Sequence, residues 1–231
     1  MFGDLVGTVK VDYSSAQTGT HDITLDANAV EGNLIVICHF SRSVGSSPDT
    51  NFTQAVEVLD GPNTDAAAIH YKVAGAAEGD TFGATPDGDG EKSCVIGFEI
   101  EGPFDASPLD KTASDGPNAG AASQTTGTTD ATTQNDEVAI GFIAARNTGF
   151  AICPTSWDNS FTVAGCSAES SAECTAAYKT LSSTGAVEST GTFDDTPSDS
   201  QYGMVATFKK TVAGGLSVPV AMYHRKMAEI S

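Results

Sequence analysis

The stretch DGDGE places Asp87, Asp89 and Glu91 at alternate positions, the spacing with which an EF-hand calcium loop begins to offer its oxygen ligands. The pattern then breaks. The sixth position is Lys92 where the loop needs glycine, and the twelfth is Phe98 where it needs a bidentate glutamate. These three carboxylates are the candidate metal ligands, set against the simpler reading of an acidic hairpin tip. The later acidic turn DDTPSDS carries no such spacing.

Other chemistry is harder to assemble. Glu99 with Glu101, or Glu57 with Asp60, could supply a carboxylate pair for glycoside hydrolysis. Yet alternation in GFEIEG sets Glu99 and Glu101 on one face, most simply a solvated one, and Trp157 is the sole tryptophan for stacking on a sugar. The histidines, at 21, 39, 70 and 224, show no paired spacing. His39 and His70 alternate with apolar neighbours and read as hydrogen-bonded strand residues rather than ligands. No nucleophile elbow, phosphate loop or dinucleotide fingerprint occurs, and no spacing singles out a Ser-His-Asp triad, which geometry alone defines. No catalytic residue and no cofactor is assigned, and the expectation is a protein that is not an enzyme.

The C-terminal LSVPVAMYHRKMAEIS offers a different function. Val218, Val220 and Met222 alternate around Pro219, as in an edge strand. Tyr223, His224, Arg225 and Lys226 then form a basic cluster on a chain of net charge −19 and pI near 4.2. These four residues are the candidate partner-docking site, with a frayed tail as the alternative. Such a negative field repels phosphate backbones, so nucleic acid is not expected as a partner. No run of 18 apolar residues suggests a membrane span, and MFGDLVGTVKVDYSS lacks the basic start and apolar run of a secretory signal, so synthesis in the cytoplasm is expected. Cysteines stand at 38, 94, 153, 166 and 174 without metal-type spacing. Cys38 and Cys94 read as buried strand residues; Cys166 and Cys174 flank a hairpin tip and could oxidise together outside the cell, free thiols being the default inside it.

The elements that must carry these residues are β-strands. Leucine is scarce, glycine numbers 24, and apolar stretches recur about every ten residues between Gly, Pro and Asp turns. LIVICHF (34–40) and EVAIGFIA (137–144) are apolar without a break, as in central strands buried on both faces. AAIHYKVA puts Tyr71 on the face of Ile69 and Val73, inward, with Lys72 outward. The order then repeats. TFGATP at 81 returns as TFDDTP at 192, Tyr71-Lys72 as Tyr178-Lys179, and Phe98 as Phe208, at offsets of 111, 107 and 110. Residues 103–135 are polar, rich in Pro, Ala, Ser, Thr and Gly, and read either as a linker or as a surface excursion with a strand near SQTTGTT. The expectation is an all-β antiparallel sandwich of jelly-roll or lectin-like type, built from two sequence-related halves. It assigns residues 1–210 to one interleaved sandwich, with halves at about 20–102 and 123–210, and 211–231 to a strand and docking arm, two small domains being the alternative.

Read in order, AVEGNLIVICHF, AAIHYKVAGAAEGDTF, CVIGFEIEG, DEVAIGFIAA, TAAYKTLSSTGAVESTGTF and YGMVATFK resemble a diffuse class of duplicated β-sandwich modules in the virion proteins of tailed bacteriophages. The resemblance covers roughly residues 20–210 and carries no catalytic motif. It implies a non-enzymatic structural protein on the virion surface, foremost a capsid cement or decoration protein stabilising a phage head. It would act as a homo-oligomer, a trimer being one option, on a major capsid protein or another virion protein. A carbohydrate- or receptor-binding module of a tail fibre, with a glycan as partner, is the alternative it implies.

Overall fold

The computed structural model describes residues 1–14, 21–42, 46–48, 51–61, 65–86, 92–146, 154–169, 172–193, 196–197 and 199–212. The Asp87–Asp89–Glu91 turn and Tyr223, His224, Arg225 and Lys226 lie outside them. Every strand pairing is antiparallel and no helix forms among the described residues, so none is long and apolar enough to cross a membrane.

The strands of the first half are β1 (Leu5–Ser14), β2 (His21–Thr24), β3 (Leu34–Ser41), β4 (Ser46–Pro48), β5 (Thr53–Asp60), β6 (Asp65–Val73), β7 (Thr81–Pro86) and β8 (Ser93–Ile100). Those of the second are β9 (Phe104–Asn118), β10 (Ser123–Thr125), β11 (Glu137–Ala145), β12 (Pro154–Trp157), β13 (Thr162–Glu169), β14 (Ala172–Leu181), β15 (Thr190–Phe193) and β16 (Gln201–Lys210). One five-stranded sheet runs β1-β8-β3-β6-β5 and a small sheet runs β2-β7-β4; the second half gives β9-β16-β11-β14-β13 and β10-β15-β12. The strand order of one half becomes that of the other when each strand number is raised by eight. No strand of one half enters a sheet of the other, so the strands are not interleaved; the halves meet face to face across a common core.

The unbroken apolar strands explain why four layers are needed. All of β3 and all of β11 are buried. Successive side chains of a strand point to opposite faces, so a strand buried at every position needs cover on both. Leu34, Val36, Cys38 and Phe40 enter the core between the two large sheets together with Val138, Ile140, Phe142 and Ala144. The intervening Ile35 and Ile37 face Ile23 and Phe82 of the first small sheet, and Ala139, Ile143 and Ala145 face Trp157 and Phe193 of the second. Close approach is bought with glycine. A Cβ on Gly97 would stand 2.4 Å from Ile23, and one on Gly203 would stand 1.9 Å from the Thr125 carbonyl oxygen.

The packing of the halves is reciprocal. β1 lies against β13 while β5 lies against β9, each the counterpart of the other contact under the eight-strand shift. Registers also refine the repeat. Tyr71 pairs with Val36 and Tyr178 with Ile140, so these tyrosines stand at matching places. Phe98 also pairs with Val36, but Phe208 pairs with Val138, so Phe208 holds the place of Ile100 and the expected match of Phe98 with Phe208 slips by one pleat.

The polar stretch at 103–135 is not a linker. Residues 104–118 form β9, anchored along β16 with three register shifts, with Phe104 buried in the central core and Leu109 packed against it. The strand expected near SQTTGTT is β10. Cys38 and Cys94 are buried as expected; Cys166 is disulfide-bonded, against the default of free thiols, while Cys174 is a buried thiol outside any disulfide, so the Cys166–Cys174 bridge weighed as an alternative does not form. The register opposes Cys166 to Thr175 and Cys174 to Ser167.

Phe142→Ala should cost ~3–5 kcal/mol, the usual penalty for emptying an aromatic site in a packed core. Because both large sheets share that core, Trp157 fluorescence and far-ultraviolet circular dichroism should show one denaturant midpoint that moves as a unit. Two resolved transitions, one for each half, would show the core is not shared.

Candidate functional site

Several residues singled out by sequence are structural. Tyr71 is buried in the central core and packs edge-on against Phe208, with centroids 5.0 Å apart, as its inward alternation required. Lys72 points outward to an ion pair with Glu78 at 2.7 Å. Trp157 belongs to β12, is only 9% exposed and stacks on Phe161, so it cannot serve as a platform for a sugar. Glu99 and Glu101 are not a solvated pair. Glu99 is 4% exposed and accepts hydrogen bonds from Val30 N at 2.8 Å and Asn33 Nδ2 at 2.6 Å, while Glu101 is exposed and binds the terminal amine. Among the described residues no group of three or more His, Cys, Asp or Glu is placed to hold a metal ion.

The topology instead assembles a cluster that sequence spacing concealed. His21 opens β2 opposite the small Ala84, and Ser93 opens β8 between Ser14 and Ser41. The imidazole fills the space: Nδ1 lies 2.9 Å from Asp12 Oδ2, and Nε2 lies 2.6 Å from Ser93 Oγ. With Nδ1–H donating to the carboxylate, Nε2 accepts from the serine hydroxyl, the hydrogen-bond order of an activated serine. Access is what the arrangement lacks, since His21 and Ser93 are both 0% exposed. A carbonyl substrate has no path to Oγ in this structure.

A second observation gives the cluster a structural role. Asp12 pairs with Val95, which pairs with His39; Asp115 pairs with Gly203, which pairs with Ile143, the residue matching His39. Asp115 thus sits where Asp12 does, and it accepts a hydrogen bond from buried Gln124 on β10 at 3.1 Å. In both halves a carboxylate on the first strand grips a buried side chain on the second. The link ties each small sheet to its large one, by imidazole in one half and by carboxamide in the other.

Two further histidines share the first half's outer layer. His39 and His70 are 0% and 1% exposed, and none of their ring nitrogens has a hydrogen-bond partner. The expectation of hydrogen-bonded strand histidines is therefore wrong in its second part. Burial, then the charges of His21 and His70, push His39 down to about 3; burial pushes His70 down to about 4.

A separate polar group locks the halves together at one end of the central core. Tyr202 of β16 places its hydroxyl 3.3 Å from Asp60 Oδ2 and 3.1 Å from Asp65 Oδ2, on the strands that flank the β5–β6 turn. Arg146 lies between Asp65 (3.6 Å, an ion pair beyond hydrogen-bond length) and Asp199 (3.1 Å from Nε, not aligned as a hydrogen bond). Burial raises the Asp65 carboxyl against the pull of Arg146, and burial beside Asp65 raises the Tyr202 phenol. The carboxylate pair that Glu57 and Asp60 could have supplied is not assembled: Asp60 turns into this lock and Glu57 accepts from Gln54.

No protein-family model, curated protein or solved structure matches the chain.

Two outcomes follow. Tyr202→Phe leaves two buried carboxylates short of a donor and should lower stability by ~1–3 kcal/mol in denaturant titration. His21→Gln reproduces the Asp115–Gln124 link and should stay within about 1 kcal/mol of the parent, whereas His21→Ala should lose ~1–3 kcal/mol. A fluorophosphonate probe should leave Ser93 unlabelled; labelling there would reveal an open nucleophile and contradict the structural role.

Proposed function

We propose that this protein is a non-enzymatic structural component of a phage virion, a cement or decoration protein that binds the outer face of the head. The observation that carries the reading is the strand order. β1-β8-β3-β6 facing β2-β7-β4 is the order of a jelly roll whose fifth strand has moved to the edge of the larger sheet, a plan common in capsid and lectin domains. We read the second half as a duplicate of the first, with the sequence repeat and the eight-strand correspondence as support. The sharing of one core by both units makes a stiff block, a property suited to bracing a shell.

Surface chemistry supports the same assignment. The excess of 30 acidic over 11 basic residues keeps such blocks apart in solution, while the basic Tyr223–His224–Arg225–Lys226 segment offers the opposite sign to an acidic partner. Val11 and Tyr13 on β1 and Val163 on β13 are exposed on edge strands that adjoin, and these edges offer a surface for self-association into a homo-oligomer. The tail-fibre alternative, in which the module binds a glycan, loses its stacking residue because Trp157 is buried.

Co-sedimentation with heads assembled without this protein tests the proposal. The parent should bind and raise the temperature at which the heads rupture. Deletion of residues 213–231, or Arg225→Glu with Lys226→Glu, should abolish binding while leaving circular dichroism unchanged. Retained binding by both variants would remove the docking role of that segment. Failure of the parent to bind heads, together with glycan-array binding, would favour the tail-fibre reading.

A further inference from the structure

We propose that the first half carries an acid-triggered release: protonation of His39 and His70 frees the β2-β7-β4 sheet from the large sheet it covers, while the central core and the second half stay folded. The starting observation is a difference between two matching layers. His39 and His70 project from β3 and β6 on the side of Ile35, Ile37, Ala66 and Ala68, against the small sheet. At the matching register the second half has Ile143 and Ala177, both in its own outer core. The fold therefore closes that layer without histidine. In the first half it holds two imidazoles with all ring nitrogens unpartnered, an arrangement that weakens the layer even when both are neutral.

Among the described residues no opposite charge acts on either ring: Asp22 of β2 is exposed, and Asp60 of β5 and Asp65 of β6 face Tyr202. On β1, Asp12 is committed to His21 of β2, and on β8, Glu99 is committed to Asn33 and Val30. Glu57 of β5 lies opposite Ala68 and takes a hydrogen bond from Gln54. Arg42 and Lys92 meet through their backbones at the ends of β3 and β8 and are cationic. β4 and β7 carry no titratable residue. The charges that act on His39 are those of His21 and His70, which repel it when protonated.

The sign follows from linkage. In the released state the exposed histidines titrate near 6.5, whereas in the closed state they resist protonation down to about 3 and about 4. Closure is thus fully favoured above 6.5 and is lost as the pH falls from there toward 4. At pH 5 each histidine shifts the equilibrium toward release by about 30-fold, and both together by about 1,000-fold. Release exposes only the cluster of Ile23, Leu25, Phe82 and their neighbours, which is separate from the central core.

Hydrogen-exchange mass spectrometry on the full chain, stepped from pH 7.5 to 4.5 and corrected for intrinsic exchange, tests the inference. Peptides covering 21–24 and 81–86 should lose protection below pH 6, while those covering 123–125 and 190–193 keep theirs. Fluorescence of Trp157, which lies in the second half's outer core, should stay constant over the same range. The His39→Ile, His70→Ala double variant, which carries the second half's residues, should lose the response. Each single variant should reduce the pH 5 effect about 30-fold, so the inference stays testable if the double variant fails to fold. An equal response in both halves, or an unchanged response in the folded variants, would overturn it.

Discussion

Two strands with no exposed face, β3 and β11, set the conditions for the rest of the molecule. Each must be covered above and below, and a two-layer sandwich can cover only one side of each. The solution is to stack the two large sheets against each other and to close each outer face with a small sheet. Glycines at 97 and 203 follow from that requirement, since the small sheets approach closer than a Cβ would permit. So does the reciprocal contact of edge strands, because two similar sheets that bury the same face against each other meet like the subunits of a symmetric dimer.

Polar groups inside this stack mark its seams. The Tyr202–Asp60–Asp65–Arg146 group fastens one half to the other, and the Asp12–His21–Ser93 and Asp115–Gln124 links fasten each small sheet to its large one. A buried hydrogen bond contributes modestly to stability, but an orphaned partner is expensive, so such seams specify which faces meet. His39 and His70 depart from this, buried like seam residues but with no hydrogen-bond partner on any ring nitrogen.

Much of the architecture was legible in the residues. The unbroken runs at 34–40 and 137–144 announced strands buried on both faces, and the inward turn of Tyr71 followed from alternation. β9 was obscured because its Pro, Asp and Ser content is that of a linker; only Phe104 and Leu109 hinted at a buried side, and pairing with β16 supplies what propensity does not. The site was largely hidden. Asp12, His21 and Ser93 are brought together by three different strands, and no spacing along the chain encodes that. The burial of Trp157 was hidden for the same reason: one aromatic in a short strand looks the same whether its neighbour is solvent or Phe161.

An acidic pair of units that share one core fits the proposed part that braces a larger assembly. Electron microscopy of virus particles purified from the source of this chain, with mass spectrometry of their proteins, tests the proposed role most directly. The account predicts density for two stacked sandwich units on the outer surface of the head, repeated with the symmetry of the shell. Density confined to the tail tip, or absence of the chain from purified virions, would contradict it.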